Sequence, residues 1–286
     1  MSVRRWLLFT LAGAAALSAC GGDGNPAPRS SPPDLSAQVV QLRRDQVLNR
    51  IEITLANHGR EPVTVDRLQV RIPGYRGGPP VAKDSPIPGG LEVNLPWEYG
   101  EVSCPDDSTP RPGRAVVSLR LRVGDQEPVD VRLDATDPDD LVQRIAERTC
   151  TVRRVAQEVD LRLGDDWRLD RVDGQKVLHG ILRARLLVDQ PRDITELAGA
   201  IMYGFRPDDT RGPVPDPLAH LQHAGDTADI PVLTYAGRCD GHVKGEIKKP
   251  YEFLVWVGPP GDDDPVAVTP AVGEATKLAL RQVCAF

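Results

Sequence analysis

A strand-rich segment closed by two cysteines occurs twice in this chain, and it restricts the possible folds more than any other feature. The first copy runs from Asn94 to Cys150 and the second from Asp229 to Cys284. Each opens on an apolar residue and a proline, Leu95-Pro96 or Ile230-Pro231, and reaches a tyrosine, Tyr99 or Tyr235, shortly before its first cysteine. Each continues through two apolar strands around a Gly/Asp turn, then ends in a short amphipathic run carrying the second cysteine. The spacing is 46 residues from Cys104 to Cys150 and 45 from Cys239 to Cys284. Four cysteines allow three pairings, and the repeat selects Cys104–Cys150 with Cys239–Cys284.

The duplication extends upstream of the cysteines. Pro191 matches Pro62 and Leu197 matches Leu68 at one displacement, which grows by a few residues before Cys239. The extra residues fall in the proline-rich stretch Arg206 to Asp226. Phe253, Val255 and Val257 take the places of Leu119, Leu121 and Val123.

Alternation supplies the fold class. Val117, Leu119, Leu121 and Val123 point one way while Ser118, Arg120 and Arg122 point the other, and Val129, Val131 and Leu133 repeat the pattern. Sheets with one wet face produce this pattern. With 27 prolines and 26 glycines, turns and short strands are favoured over long helices. Strands are expected at Gln38 to Arg43, Gln46 to Ala56 and Leu91 to Val102, the last broken by Pro96 and therefore at an edge. Pro73 to Gly90 reads as a loop, and Asp173-Gly174 as a hairpin turn. A helix begins after Asp137-Pro138 and runs to Cys150. The closing run after Thr269-Pro270 fits a helix, although Leu278 and Leu280 alternate as in a strand. The expected architecture is mainly β: two tandem antiparallel β-sandwich (Ig-like) domains, residues 36–150 and 151–286. Each has about six strands, a short C-terminal helical segment and one disulfide.

The first twenty residues have a different character. Arg4 and Arg5 precede an apolar run from Trp6 to Leu17, too short to span a bilayer, and the run ends in Leu17-Ser18-Ala19-Cys20. This ending resembles the lipobox of bacterial lipoproteins. The resemblance implies that residues 1–19 are a signal peptide and that Cys20 becomes a diacylated N-terminus. It also implies a chain held at the extracytoplasmic face of the cell membrane. Residues 20–35, rich in Gly, Pro and Ser, read as a flexible tether. Loss of Arg4 and Arg5 from 35 basic residues leaves 33 against 41 acidic ones, a formal charge of −8. That balance disfavours nucleic acid as a partner. Outside the cytoplasm the four remaining cysteines are expected as disulfides.

No catalytic constellation emerges. There is no G-x-S-x-G, and the second half contains no serine. A hydrolase would have to gather acids around His58 or His179 from separate strands. Metal binding is a second alternative: His220 and His223 could share a transition metal if they lay on one helical turn, with His242 nearby. A surface loop bearing histidines is the simpler reading. The acidic clusters Asp137/Asp139/Asp140 and Asp262/Asp263/Asp264 fit capping and turns better than calcium. Trp97, Tyr99, Tyr235, Tyr251 and Trp256 lie near the cysteines and are expected in the core. Tyr75, Tyr203 and Phe205 flank loops and are the candidates for a binding surface. Outward arginines such as Arg120, Arg122, Arg183 and Arg185 read as solvated strand faces.

These features favour a lipid-anchored, non-catalytic binding or adaptor protein of the bacterial envelope, with no cofactor. Its partner would be another envelope protein or a cell-wall component.

Overall fold

The computed structural model describes residues 33–46, 48–105, 108, 111–247 and 249–284. The signal segment, Cys20 and most of the tether lie outside them. The first half contains β1 (Leu35–Val40), α1 (Arg43–Gln46), β2 (Arg50–Asn57), β3 (Val63–Arg71), β4 (Val81–Ile87), β5 (Glu92–Glu98), β6 (Val116–Val123) and β7 (Val129–Thr136). Its seven strands form one sheet in the order β4-β3-β6-β7-β1-β2-β5. All pairs are antiparallel except β1 with β7.

The helix α2 (Leu141–Glu158) leads into the second half. There follow β8 (Val159–Leu163), β9 (Arg168–Val172), β10 (Gln175–Leu186), β11 (Arg192–Ala198), β12 (Tyr203–Pro207), β13 (Ala219–Leu221), β14 (Thr227–Ala236), α3 (Gly241–Glu246), β15 (Leu254–Gly258), β16 (Val266–Val268) and α4 (Glu274–Leu280). The strands make two sheets. One has the order β12-β14-β10-β8 with β9 also on β10, and the other β13-β11-β15-β16.

The two halves repeat one pairing scheme. In the first, β2 pairs with β1 and β5, and β3 pairs with β4 and β6, while β6 also pairs with β7. In the second, β10 pairs with β8 and β14, and β11 with β13 and β15, while β15 also pairs with β16. Even the parallel contact has a counterpart. Ala37 and Gln38 pair with Ala135 and Thr136, and Arg162 of β8 makes a parallel bridge to Ala271. The strands β9 and β12 are additions of the second half.

Each half buries its own apolar cluster. Ile51, Ile53 and Leu55 of β2 join Val65, Leu68, Leu119 and Leu121 of β3 and β6. Leu178, Leu182, Ile230 and Val232 of β10 and β14 join Ile194, Leu197, Val255 and Val257 of β11 and β15. The alternating residues seen in the sequence supply these positions, because successive side chains of a strand face opposite ways.

Both disulfides form as the repeat predicts, Cys104–Cys150 and Cys239–Cys284. The edge position of the strand carrying Pro96 is also found, since β5 ends the sheet. Asp173 and Gly174 both have positive φ, 50° and 80°, between β9 and β10, which is the two-residue hairpin geometry that favours Asp-Gly. The turn at Asn57-His58-Gly59 is pinned by the buried Asn57 amide, which donates to the carbonyls of Glu61 and Ile87 and accepts from the Gly59 amide.

Several boundaries differ from the sequence reading. Pro73 to Gly90 is not all loop, because β4 lies inside it. The strand expected from Gln46 starts at Arg50, preceded by α1. There, fully buried Asp45 accepts from the Leu42 amide and from the Arg50 guanidinium at 2.6 and 2.8 Å. The closing run is helical at α4. The first strand starts at Leu35, one residue inside the expected tether.

The largest difference concerns α2, which runs through Cys150 to Glu158. Asp137 starts it as expected, its carboxylate accepting from the Leu141 and Val142 amides. Nothing stops it at Cys150, because neither glycine nor proline follows before Gly164 and the apolar spacing continues at Val155. Val142 packs in the first cluster and Val155 in the second, with Ala146 and Cys150 between them. At its end the Glu158 carboxylate accepts from Arg192 of β11 at 2.6 and 3.0 Å, with both side chains 11% exposed. One helix therefore joins the two cores. It is long but polar, and among the described residues no helix is long and apolar enough to cross a membrane.

Two stability outcomes follow from these contacts. Replacing Cys104 and Cys150 together by serine should cost about 4 kcal/mol by the chain-entropy relation for a loop of this length, measured by urea unfolding of the purified chain. Gly180→Ala should cost about 1–3 kcal/mol in the same measurement, because the added Cβ would stand 2.4 Å from the Trp167 ring. That ring is fixed, as its Nε1 donates to Thr276, whose hydroxyl in turn donates to the Gly164 carbonyl.

Candidate functional site

The continuation of α2 past Cys150 borders a groove of ≈ 720 Å³ between this helix and the outer face of β15 and β16. Its floor is apolar. Leu141, Ile145 and Val152 come from α2, the first two also packing at the edge of the first cluster, and Leu254, Trp256 and Ala267 come from the sheet. In β15 the residues Val255 and Val257 are fully buried, so Leu254 and Trp256 must face the other way, and both are half-exposed. The rim is charged with both signs, by Arg144, Arg148, Glu147 and Asp264, and adds the amides of Gln41 and Gln46. An apolar floor around a tryptophan with a polar rim is the anatomy of a protein-binding surface. Trp256 was expected in the core with its aromatic neighbours. The signal that places it outside is phase, since it is out of step with Phe253, Val255 and Val257.

The other aromatic assignments divide. Trp97 and Tyr99 are core residues as expected. Tyr251 is half-buried and stacks on Tyr203 at 5.9 Å. Tyr203 and Phe205, expected as binding candidates, are core residues instead, 0% and 3% exposed. They belong to β12, an added strand on β14, and Phe205 packs on Phe253 at 4.9 Å. Burial and the neighbouring Tyr251 push the Tyr203 phenol up to about 12. Tyr75 is half-buried, edge-on to Tyr99, and donates its hydroxyl proton to the Val142 carbonyl of α2. Burial, first of all, raises its pKa. It acts as a tie between the loop after β3 and the helix.

The histidines proposed for metal do not come together. His220 lies on β13, not on a helix, and its Nδ1 contacts the Asp193 carboxylate of β11. His223 follows in a turn closed by Asp226, which accepts from the Gln222 and His223 amides. Those two amide bonds, chiefly the one from His223, hold the Asp226 carboxyl below its ordinary pKa. His242 sits on α3. Among the described residues no group of three or more His, Cys, Asp or Glu is placed to hold a metal. Of the acidic clusters, Asp137 starts α2, and Asp262 accepts from the Asp264 amide within a turn.

The hydrolase alternative meets one real cluster. His179 on β10 is buried, and its Nδ1 lies 2.7 Å from fully buried Asp208. Asp208 also accepts from the Thr210 amide and hydroxyl and from Arg211 Nε at 3.0 Å. His179 Nε2 faces Asp170 of β9 at 3.9 Å without a hydrogen bond. Among the described residues no hydroxyl or thiol is hydrogen-bonded to this histidine, so the cluster holds the segment after β12 onto the sheet. The His58 ring meets the Ser36 hydroxyl at 2.8 Å in an exposed setting.

Comparisons with known proteins add little. No family model matches the chain, and no curated protein does. Among solved structures, it is similar to the secreted serine protease VesC from Vibrio cholerae, at 8% identity and TM-score 0.21, over 65% of this chain. The chain spans 42% of that protein's length. It is also similar to the B domain of a biofilm-associated protein, at 10% identity and TM-score 0.20, over 82% of this chain and 84% of the other. The BSP domain of a biofilm-associated protein gives 7% identity and TM-score 0.21, over 82% and 57%. Scores this low carry no functional argument.

Asp208 supplies a pH test of the buried cluster. Burial is the strongest influence on it and opposes ionisation, but the hydrogen bonds from Thr210 and His179 outweigh it, and its pKa is lowered. A lowered carboxyl pKa stabilises the fold above the unfolded value, near 4, and that stabilisation is lost as pH falls through the folded value. Asp208→Asn should therefore cost about 1.5–3 kcal/mol at neutral pH and flatten the loss of stability below roughly pH 4. Urea unfolding across a pH series measures both.

Proposed function

We propose that this chain is a lipid-anchored, non-catalytic binding or adaptor protein of the bacterial envelope, built from two tandem Ig-like β-sandwich domains. The repeated pairing scheme supports the tandem reading, with one apolar cluster and one disulfide per half. The domains are joined rigidly, since α2 carries residues of both clusters. Cys20 receives the lipid, residues 20–35 form the tether, and the folded part works at the extracytoplasmic face of the membrane.

The observation that carries the binding role is the groove between α2 and β15–β16. It depends on both domains being held in register, which gives the rigid connection a purpose. Trp256 and Ile145 provide the apolar anchor for an extended segment of an envelope protein, and the arginines and acids of the rim fix its direction.

A photo-crosslinking residue placed at position 256 or 145 should give one discrete adduct in intact cells, absent when it is placed at exposed Arg183. Adducts of equal yield at all three positions would remove the groove from the proposal. Separately, Cys20→Ala should move the protein from the membrane fraction to the soluble fraction, and unchanged fractionation would remove the anchor.

A further inference from the structure

A second surface, independent of the α2 groove, lies on the outward face of β3, β6 and β7. Arg67 of β3 stands directly opposite Arg120 of β6 in the strand register. Like charges so placed destabilise a sheet. In the next row Gln69 faces Ser118, and Ser118 faces Arg132 of β7, which puts Arg132 diagonal to Arg120. Arg71 is one row further along β3. All four arginines are exposed. Two concavities of ≈ 380 and ≈ 510 Å³ open on this face and share Gln69 and Arg132.

The acids of this face neutralise it only in part. Asp130 makes an ion pair with Arg120 at 3.6 Å, and Asp134 sits at the far row opposite Val116. Asp66 and Asp84 are engaged with Arg122, which Asp66 holds by both oxygens at 2.8–3.1 Å. Among the described residues no ion pair engages Arg67, Arg71 or Arg132. The bulge in β3 between Val65 and Arg67 produces this division. It inserts Asp66 beside Arg122 and brings Arg67 into line with Arg120. Bulges re-aim side chains in this way next to functional sites. A cluster of arginines is a local reversal in a chain whose formal charge is −6.

We propose that this face binds a multivalent oxyanion, a ligand whose phosphate or carboxylate groups reach two or more of Arg67, Arg120 and Arg132. Guanidinium forks hold either group by paired hydrogen bonds. Opposed and diagonal positions on neighbouring strands have Cβ atoms about 5–8 Å apart, close enough for two guanidinium groups to reach one small polyvalent ligand.

Isothermal titration of the purified full-length chain with sodium tripolyphosphate, and separately with citrate, tests this. At least one should bind saturably and weaken as salt rises from about 20 to 200 mM, because the contacts are between exposed charges. The double variant Arg67→Gln/Arg132→Gln should lose at least about tenfold in affinity. Arg183→Gln/Arg185→Gln on β10 should bind as the parent does. Circular dichroism and a melting curve of each variant establish that it is folded. Binding of tripolyphosphate alone assigns a phosphate ligand, and of citrate alone a carboxylate ligand. No saturable binding of either at about 1 mM, or equal affinity in the folded Arg67/Arg132 variant, would overturn the proposal.

Discussion

The attachment of α2 at three places fixes the arrangement of everything else. Its start is held by Asp137 and Tyr75, its middle by the Cys104–Cys150 disulfide, and its end by the ion pair between Glu158 and Arg192. Each tie joins the helix to a different element. Together they prevent the helix from rolling, so Val142 stays in the first core and Val155 in the second. A helix of 18 residues is about 27 Å long, enough to act as a strut between two small cores. The groove beside it is lined by Leu141, Ile145 and Val152 of the helix and by Leu254 and Trp256 of β15.

The second half shows how a repeated scheme absorbs additions. Its central strand β10 carries three neighbours, because β9 pairs at one end where β8 pairs at the other. The strand β12 extends the same sheet beyond β14. These additions bury Tyr203 and Phe205, and they bring Asp208 over His179. A polar group on the outer face of a sheet has thereby become internal, and its partners follow from that burial. The polar cluster is large, yet its hydrogen bonds run to neighbouring backbone and side chains in a way that secures a segment.

Much of the fold was legible because its signals are local or periodic. Alternation marked β6, β7, β10 and β15, the Asp-Gly pair marked the hairpin, and the equal cysteine spacings chose the pairing. What could not be read depends on contacts between distant residues. The strand β4 is exposed along most of its length and paired only with β3, so its sequence Val-Ala-Lys-Asp-Ser-Pro-Ile has no clear alternation. The expected helix ended at Cys150 because the repeat was read as closing on its second cysteine, whereas tertiary packing of Val155 and the Arg192 ion pair carry it on. Tyr203 and Phe205 looked exposed because they border a proline-rich stretch, and only the pairing of β12 with β14 buries them. Trp256 was the opposite case, since proximity to the cysteines suggested the core while the phase of its own strand pointed outward.

The arginine face and the α2 groove were both invisible as sites in the sequence, for the same reason. Each is assembled from elements far apart in the chain, and its residues individually look like ordinary solvated positions. Both depend on the same scaffold, in which each half closes on its own disulfide. Peptide mapping of the chain under non-reducing conditions tests that scaffold most directly. Cys104 should be recovered joined to Cys150, and Cys239 to Cys284. A peptide joining Cys104 to Cys239 or Cys284 would contradict the duplicated architecture and the strut that it positions.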